Sequence, residues 1–263
     1  MIRIGVAGAT GRMGGAISKL ISKDRRFKLV AATTSPNNVD LDKEFANNIF
    51  LSVDPHALFE GTEMVLDFTV PEALLKHLTY ARRYKVAMVI GTTGLHKEHL
   101  RMIHEASKEI PIIYARNTSL GVTLVRGMVQ NMARILGVEF DIEISEAHHR
   151  KKTDAPSGTA IALGEAAAEG RGVSFDAVAS YNRVGSGVAR TPGQIGLHSL
   201  RGGAIIGEHT VGFYGADESI EITHKAISRE LFAKGAIAAA YWLYEKPAGL
   251  YGMEEVLGLT PAS

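Results

Sequence analysis

The sequence predicts an α/β protein: a Rossmann-type doubly wound parallel sheet joined to a second α+β domain built on an open mixed sheet. Three observations carry this reading. A β-branched run, Ile2–Ala7, passes directly into a glycine turn, Gly8–Gly14, and then into a helical stretch. Strand-like and helix-like segments continue to alternate as far as residue 119. Beyond residue 120 the rhythm changes to a long helix, a strictly alternating strand and three further strands.

Taken in order, Met13–Ile21 reads as a helix with Met13, Ile17, Leu20 and Ile21 on one face, and Phe27–Thr34 as the second strand. Met64–Val70 is a buried-type strand, and Pro71 opens a helix over 72–83. Val86–Gly94 is a strand, 96–108 a helix, and Pro111–Ser119 a strand running into a polar turn. This spacing implies parallel strands covered on both faces. Gly121–Leu136 is a helix. Val138–His148 then places Val138, Phe140, Ile142 and Ile144 on one face and Glu139, Asp141 and Glu143 on the other, so one face is covered. A helix over Gly158–Glu169 precedes strands in "GQIGLHSL", "AIIGEHTVGFYG" and "ESIEITHKA". The uncovered face of that sheet predicts subunit association. Ser228–Lys246 reads as a helix carrying Phe232, Ile237, Trp242 and Leu243, packed back on the first domain. The expected domains are therefore 1–119 with 229–263 for the dinucleotide, and 120–228 for substrate and oligomerisation.

The chain has 263 residues, room for one large domain or two modest ones, and at 46% hydrophobic and 22% charged it has the composition of a protein with a sizeable core. A net charge of +1 argues against a molecule built as a whole to capture nucleic acid. The absence of cysteine excludes disulfides, zinc–thiolate sites and cysteine nucleophiles, and suits a reducing cytoplasm. No apolar stretch approaches the roughly 18–20 residues of a membrane helix. "MIRIGVAGATG" lacks the shape of a signal peptide. The expected location is the cytoplasm, with no membrane or nucleic-acid partner.

In "GATGRMG", Gly8 permits a sharp turn after the strand, Gly11 lets a pyrophosphate approach the backbone, and Gly14 lets the helix sit close to the sheet. The helix N-terminus then offers its N–H groups to phosphate. The context, strand before and helix after, marks a dinucleotide turn rather than a packing turn. No carboxylate stands at the end of the second strand, where Thr33, Thr34 and Ser35 occur. A 2′-phosphate is therefore not repelled, and Arg12 either reaches it or faces solvent. This favours NADPH, or use of both NADPH and NADH. "GTTG" (Gly91–Gly94) and "ARNTS" (Ala115–Ser119) fall where parallel strands end and offer amides and hydroxyls to ribose and nicotinamide.

"EAHHRKKTDAPSGTA" concentrates His148, His149, Arg150, Lys151 and Lys152 before a proline. Adjacent histidines on a strand point to opposite sides, and no third ligand accompanies them, so a metal site is not expected. The acidic strand before them and the absence of interleaved aromatics weigh against nucleic acid. His148 keeps the parity of Ile142 and Ile144 and so leaves the strand on the covered face. Ser157, Gly158 and Thr159 open a helix and make an anion cradle. Lysines, histidines and that cradle suit a small substrate bearing carboxylates. A histidine there transfers a proton near neutral pH, which hydride reduction of a conjugated C=C–C=N acceptor requires.

Across its whole length, through "GATGRMG", "DFTVPEA", "VIGTTG", "EAHHRKKTDAPSGTA" and "GEHTVGF", the sequence resembles the bacterial 4-hydroxy-tetrahydrodipicolinate reductase family, also called dihydrodipicolinate reductase, of the diaminopimelate route to lysine. The resemblance implies reduction of 4-hydroxy-tetrahydrodipicolinate by NADPH or NADH to tetrahydrodipicolinate and water, in a homotetramer joined through the second domain. It implies His148 as the acid/base histidine and Lys152 as the proton-donating lysine. It implies His149, Gly158 and Thr159 as substrate contacts. The implied cofactor contacts are Gly8, Ala9, Thr10, Gly11, Arg12 and Met13; Gly91, Thr92 and Thr93; and Ala115, Arg116, Asn117 and Thr118. Thr34 and Ser35 depart from the acidic–basic pair of many members, and Arg116 and Thr118 from the commoner neighbours of Asn117. Two other readings stay open: a nicotinamide oxidoreductase acting on a semialdehyde or polyol, and a redox sensor that binds cofactor without turnover.

Overall fold

The computed structural model describes residues 1–46, 48–181, 183 and 189–259. The chain begins with β1 (Ile2–Ala7), α1 (Arg12–Ile21) and β2 (Phe27–Thr33), then β3 (Glu44–Ala46), β4 (Ile49–Ser52) and α2 (Pro55–Phe59). There follow β5 (Met64–Asp67), α3 (Pro71–Tyr84), β6 (Ala87–Ile90), α4 (Lys97–Ser107) and β7 (Pro111–Tyr114). Next come α5 (Leu120–Leu136), β8 (Asp141–His148), α6 (Gly158–Gly170), α7 (Phe175–Val178), β9 (Ala179–Ser180), β10 (Ile195–Arg201), β11 (Glu208–Tyr214) and β12 (Ser219–Lys225). The chain then gives α8 (Glu230–Leu243), β13 (Gly249–Tyr251) and α9 (Met253–Val256). Residues 1–120 and 230–258 form one compact unit and 121–229 a second, with Leu259 grouped with the second. Residues 260–263 of the expected first-domain tail lie outside the described residues.

In the first unit the strand order is β13-β7-β6-β5-β1-β2-β4-β3, parallel except between β3 and β4. Every residue of β5 and β6 is buried, which is why both read as apolar runs, broken only by Asp67 at the end of β5. β1 pairs with β2 on one side and β5 on the other, so the winding reverses there and a ligand crevice opens at the carboxyl ends of β1 and β5. α1 and α8 cover one face through Ile17, Ile237 and Leu243 against Ile4 and Val6. α2, α3 and α4 cover the other through Leu58, Leu74, Leu78 and Ile103. Each such side chain contributes about 1.5–3 kcal/mol on burial. Pro71 fixes the first turn of α3, and Lys85, left-handed at φ 54°, ends it by bonding back to Ala81 and Arg82.

The second unit holds a mixed sheet ordered β12-β11-β8-β10-β9, with β8, β10 and β9 parallel and β11 antiparallel to both its neighbours. α5 and α6 cover one face, joining Val125, Val129, Leu163 and Ala167 to Ile142, Ile144, Leu197, Val211 and Phe213. The opposite face carries Glu143, which receives Arg183, Arg190 and His198.

Several boundaries differ from the sequence reading. Phe68–Val70 is loop, not strand, because Thr69 turns back onto Asp67. The strands expected over Val86–Gly94 and Pro111–Ser119 end at Ile90 and Tyr114. Val138 is 66% exposed rather than on the covered face, since Gly137 (φ 62°) starts a 3₁₀ turn and the alternation begins only at Asp141. β3, β4, α2, α7, β13 and α9 carry no signal that the sequence reading used.

Candidate active site

The crevice of the first unit is built on glycine. Gly8 sits at φ 73°, where a Cβ would lie 2.9 Å from the Phe68 carbonyl oxygen. The Gly11 N–H donates to the Gly8 carbonyl at 2.9 Å. A Cβ at Gly14 would overlap that same carbonyl and the Ala9 Cα, so only glycine brings α1 this close to the turn. A cleft of about 460 Å³ opens here, lined by Gly11, Arg12, Met13, Phe68, Thr69, Gly91, Thr93, Ala115, Arg116, Asn117, Thr118 and Phe232. Nine of the residues expected at the cofactor therefore share one cleft. Gly8, Ala9 and Thr10 form the turn behind it. Thr92 does not face it: its hydroxyl donates to Asp67 Oδ1 at 2.9 Å and the residue is buried.

Asp67 is the organising residue of that edge, and the sequence reading overlooked it. Its fully buried carboxylate accepts from the Thr69 N–H (3.1 Å), the Thr69 hydroxyl (2.6 Å) and the Thr92 hydroxyl, with His77 Nδ1 2.6 Å from Oδ2. Burial pushes this carboxyl up, but the His77 contact and the two hydroxyls outweigh it and hold the group below its ordinary value. One charge thus ties the loop after β5 to the turn after β6. Its sequence signal was an acid ending an otherwise apolar strand. At the end of β2, Thr34 meets the Thr10 hydroxyl at 2.6 Å and Asn38 donates to it at 3.1 Å, while Arg12 is exposed. The glycine cradle, the helix N-terminus and the neutral hydroxyls fit a dinucleotide with or without a 2′-phosphate.

The second unit gathers the basic block at the carboxyl end of β8. His148 is buried on the covered face, on the parity of Ile142 and Ile144, as the alternation predicted. Glu146 has the same parity, and its side chain is fully buried. Its Oε2 lies 2.6 Å from His148 Nδ1. Arg201 donates to both of its oxygens at 2.8 and 2.7 Å, and the Ser157 N–H donates to Oε1 at 3.1 Å. Burial pushes Glu146 up, yet the bonds from Arg201, Ser199 and His148 bring it down to about 2. The carboxylate is therefore ionised at any working pH.

Ser157 also caps α6, its Oγ accepting from the Ala160 N–H at 3.1 Å, a contribution of about 1 kcal/mol. The same oxygen lies 2.9 Å from Nε2 of His209, whose ring meets that of His148 edge-on at 5.2 Å. Burial, with His148 nearby, pushes His209 down to about 4, so it is neutral. Lys152 donates to both oxygens of Asp154 at 2.8 Å, and Arg201 donates to the Asp154 carbonyl at 2.6 Å. Gly158 and Thr159 begin α6 beside this cluster. His149 lies just beyond the end of β8, with its Nε2 3.5 Å from a terminal nitrogen of Arg229. Glu146, Arg201 and His209 were not anticipated. A carboxylate at core parity was the available signal for the first; the others arrive by pairing, Arg201 opposite His148 and His209 opposite Glu146.

The description "Dihydrodipicolinate reductase, N-terminus" matches residues 2–118, and "Dihydrodipicolinate reductase, C-terminus" matches residues 121–257. The chain belongs to the dihydrodipicolinate reductase family. It is 46% identical to the 4-hydroxy-tetrahydrodipicolinate reductase of Pseudoalteromonas translucida, over 98% of each chain. It is 44% identical to the enzyme of that name from Wolinella succinogenes, over 98% of this chain and 100% of the relative. Among solved structures, the fold matches a dipicolinate-bound dihydrodipicolinate reductase from Paenisporosarcina sp. TG-14 with a TM-score of 0.81 at 24% identity, covering 97% of this chain and 98% of that one. A myo-inositol dehydrogenase from Corynebacterium glutamicum shares the fold more distantly, with a TM-score of 0.60 at 15% identity, over 98% of this chain and 93% of that one. Dihydrodipicolinate reductase family members carry a nucleotide-binding N-terminal region, and here the crevice at Gly8–Gly14 falls within it.

Proposed function

We propose that this protein is a 4-hydroxy-tetrahydrodipicolinate reductase, an NAD(P)H-dependent oxidoreductase of the diaminopimelate route to lysine. The observation that carries the reading is the cluster at 146–159: a buried histidine on an ionised carboxylate, a lysine, and a capped helix N-terminus, in a chain of this family. The first unit would hold the nicotinamide cofactor over Gly8–Met13, Gly91, Thr93 and Ala115–Thr118, with Thr92 held behind them on Asp67. When bound, that cofactor supplies hydride.

The residues of the second unit do the rest. The N-terminus of α6, with Gly158 and Thr159, binds one carboxylate of the substrate, and His149 contributes a further contact. Loss of the 4-hydroxyl as water leaves a conjugated C=C–C=N acceptor. Charge that arrives with hydride is quenched by a proton from His148 or Lys152. A dicarboxylic heterocycle explains why so much positive charge is gathered in a molecule of net charge +1. Thr34 in place of an acid, and the exposed Arg12, support use of NADPH, with NADH also accepted. The outward face of the second sheet supports self-association as a homotetramer. Among the described residues no helix is long and apolar enough to cross a membrane.

The test mixes the protein with NADPH, then with NADH, and the aldol product of pyruvate and aspartate semialdehyde, following loss of reduced-cofactor absorbance. Turnover confined to the complete mixture is expected. Turnover with simple aldehydes alone would favour a semialdehyde or polyol reductase, and none at all a sensor.

A further inference from the structure

The carboxylate beneath His148 has a role that substrate binding does not explain. Glu146 is fully buried, 2.6 Å from His148 Nδ1, and three other donors hold it in place. We propose that Glu146, clamped by Arg201, is a positioning residue of the proton-transfer site, fixing His148 so that Nδ1 keeps its proton and only Nε2 exchanges one with substrate. This rests on the reductase reading given above.

The argument is one of donors and acceptors. An ionised carboxylate only accepts, so a His148 nitrogen at hydrogen-bond distance from it must carry a proton. With Glu146 held down to about 2, that condition is met throughout the working pH range. Nε2 has no partner among the described residues and lies against Gly207, where a Cβ would come within 3.0 Å. In the step itself the Nε2–H bond breaks and its electron pair stays on the ring. The proton goes to the carbanionic carbon or nitrogen of the reduced substrate. The neutral ring left behind still has Nδ1–H on Glu146, and Nε2 is recharged from solvent. The other groups facing the ring do not compete for Nδ1. His209 approaches edge-on and is engaged by Ser157, and Lys152 is paired with Asp154.

Arg201 extends the device. Its two terminal nitrogens grip Glu146, and one of them also donates to the Asp154 carbonyl at 2.6 Å, within the segment that carries Lys152. A single guanidinium therefore sets the support of His148 and the path of the loop bearing Lys152. Its planar fork makes three such bonds at once, which a lysine cannot do.

The decisive substitution is Glu146→Gln. The new amide N–H group cannot face the Arg201 or Ser157 N–H groups, which only donate; the His148 ring and the Ser199 hydroxyl are the neighbours that can accept from it, so the substitution is made together with Ser199→Ala. The ring then switches to the Nε2–H tautomer. We expect kcat to fall by about 10²–10⁴, as for other wrongly held catalytic histidines, while the KM values for cofactor and substrate change little. The readout independent of turnover is the ¹⁵N signal of the His148 ring, assigned by its loss in His148→Gln, at pH about 9, above the ordinary histidine range. The wild-type protein should show Nδ1–H and the variant Nε2–H. In a His148→Gln background, Glu146→Gln should cost nothing more in kcat. Arg201→Lys, which keeps the charge, should lower kcat with the melting temperature nearly retained, and it serves as the probe if Glu146→Gln does not fold. An Nε2–H tautomer in the wild-type protein, or additive losses in the double variant, would overturn the proposal. Failure of the wild-type protein to reduce the heterocycle would overturn the reductase reading and leave the ¹⁵N result standing by itself.

Discussion

A Cβ on Gly207 would stand 3.0 Å from His148 Nε2, and Glu146 holds the other side of the ring. Gly207→Ala should therefore press on Nε2, the nitrogen proposed to transfer the proton, and lower kcat by about 10–100-fold. Steady-state kinetics should show the loss in kcat, with NADPH affinity unchanged by fluorescence titration. His209 gives a second prediction at this scale. Its value in the folded protein, about 4, lies below the ordinary 6.5. The unfolded chain thus binds more protons between these values, and stability falls as pH drops through that window. The term is complete above about pH 6.5, lost by about pH 4, and worth about 3 kcal/mol at most. His209→Gln should flatten the melting temperature against pH over that range. An unchanged slope would show that His209 titrates normally.

At the scale of elements, α8 is more than a cover for the first sheet. Gly235 faces the Thr118 carbonyl, with which any Cβ would overlap, and the Thr118 hydroxyl donates to the Phe232 carbonyl at 2.7 Å. The helix thereby shapes the turn that the cofactor would contact. Gly235→Ala should raise the dissociation constant of NADPH about tenfold, ~1.4 kcal/mol, measured by fluorescence titration beside a thermal melt. Elements such as β5 and β6 were legible because burial on both faces demands a nearly continuous apolar run. β3, β4 and α2 were not: they are short, and β4 is ordered by its pairing of Leu51 and Ser52 with Ala32 and Thr33 of β2. Likewise His148 was legible from strand parity. Arg201 was not, since it reaches Glu146 only through the parallel pairing of β10 with β8, 55 residues apart in sequence.

At the scale of the whole molecule, the labour is divided. The first unit carries the glycine-rich cleft proposed for the hydride donor, and the second carries the histidine, lysine and helix N-terminus proposed for the acceptor. The motifs that carry the resemblance run from Gly8 to Phe213, and each falls wholly within one unit. Substitutions in one unit should then leave the business of the other intact. The direct test is to measure kcat and the NADPH dissociation constant side by side for His148→Gln and Lys152→Ala. The account predicts a loss in kcat of about 10²–10⁴ with the dissociation constant within about twofold of the wild-type value. A large loss of NADPH affinity with kcat preserved would contradict it, and would assign the 146–159 block to the cofactor instead.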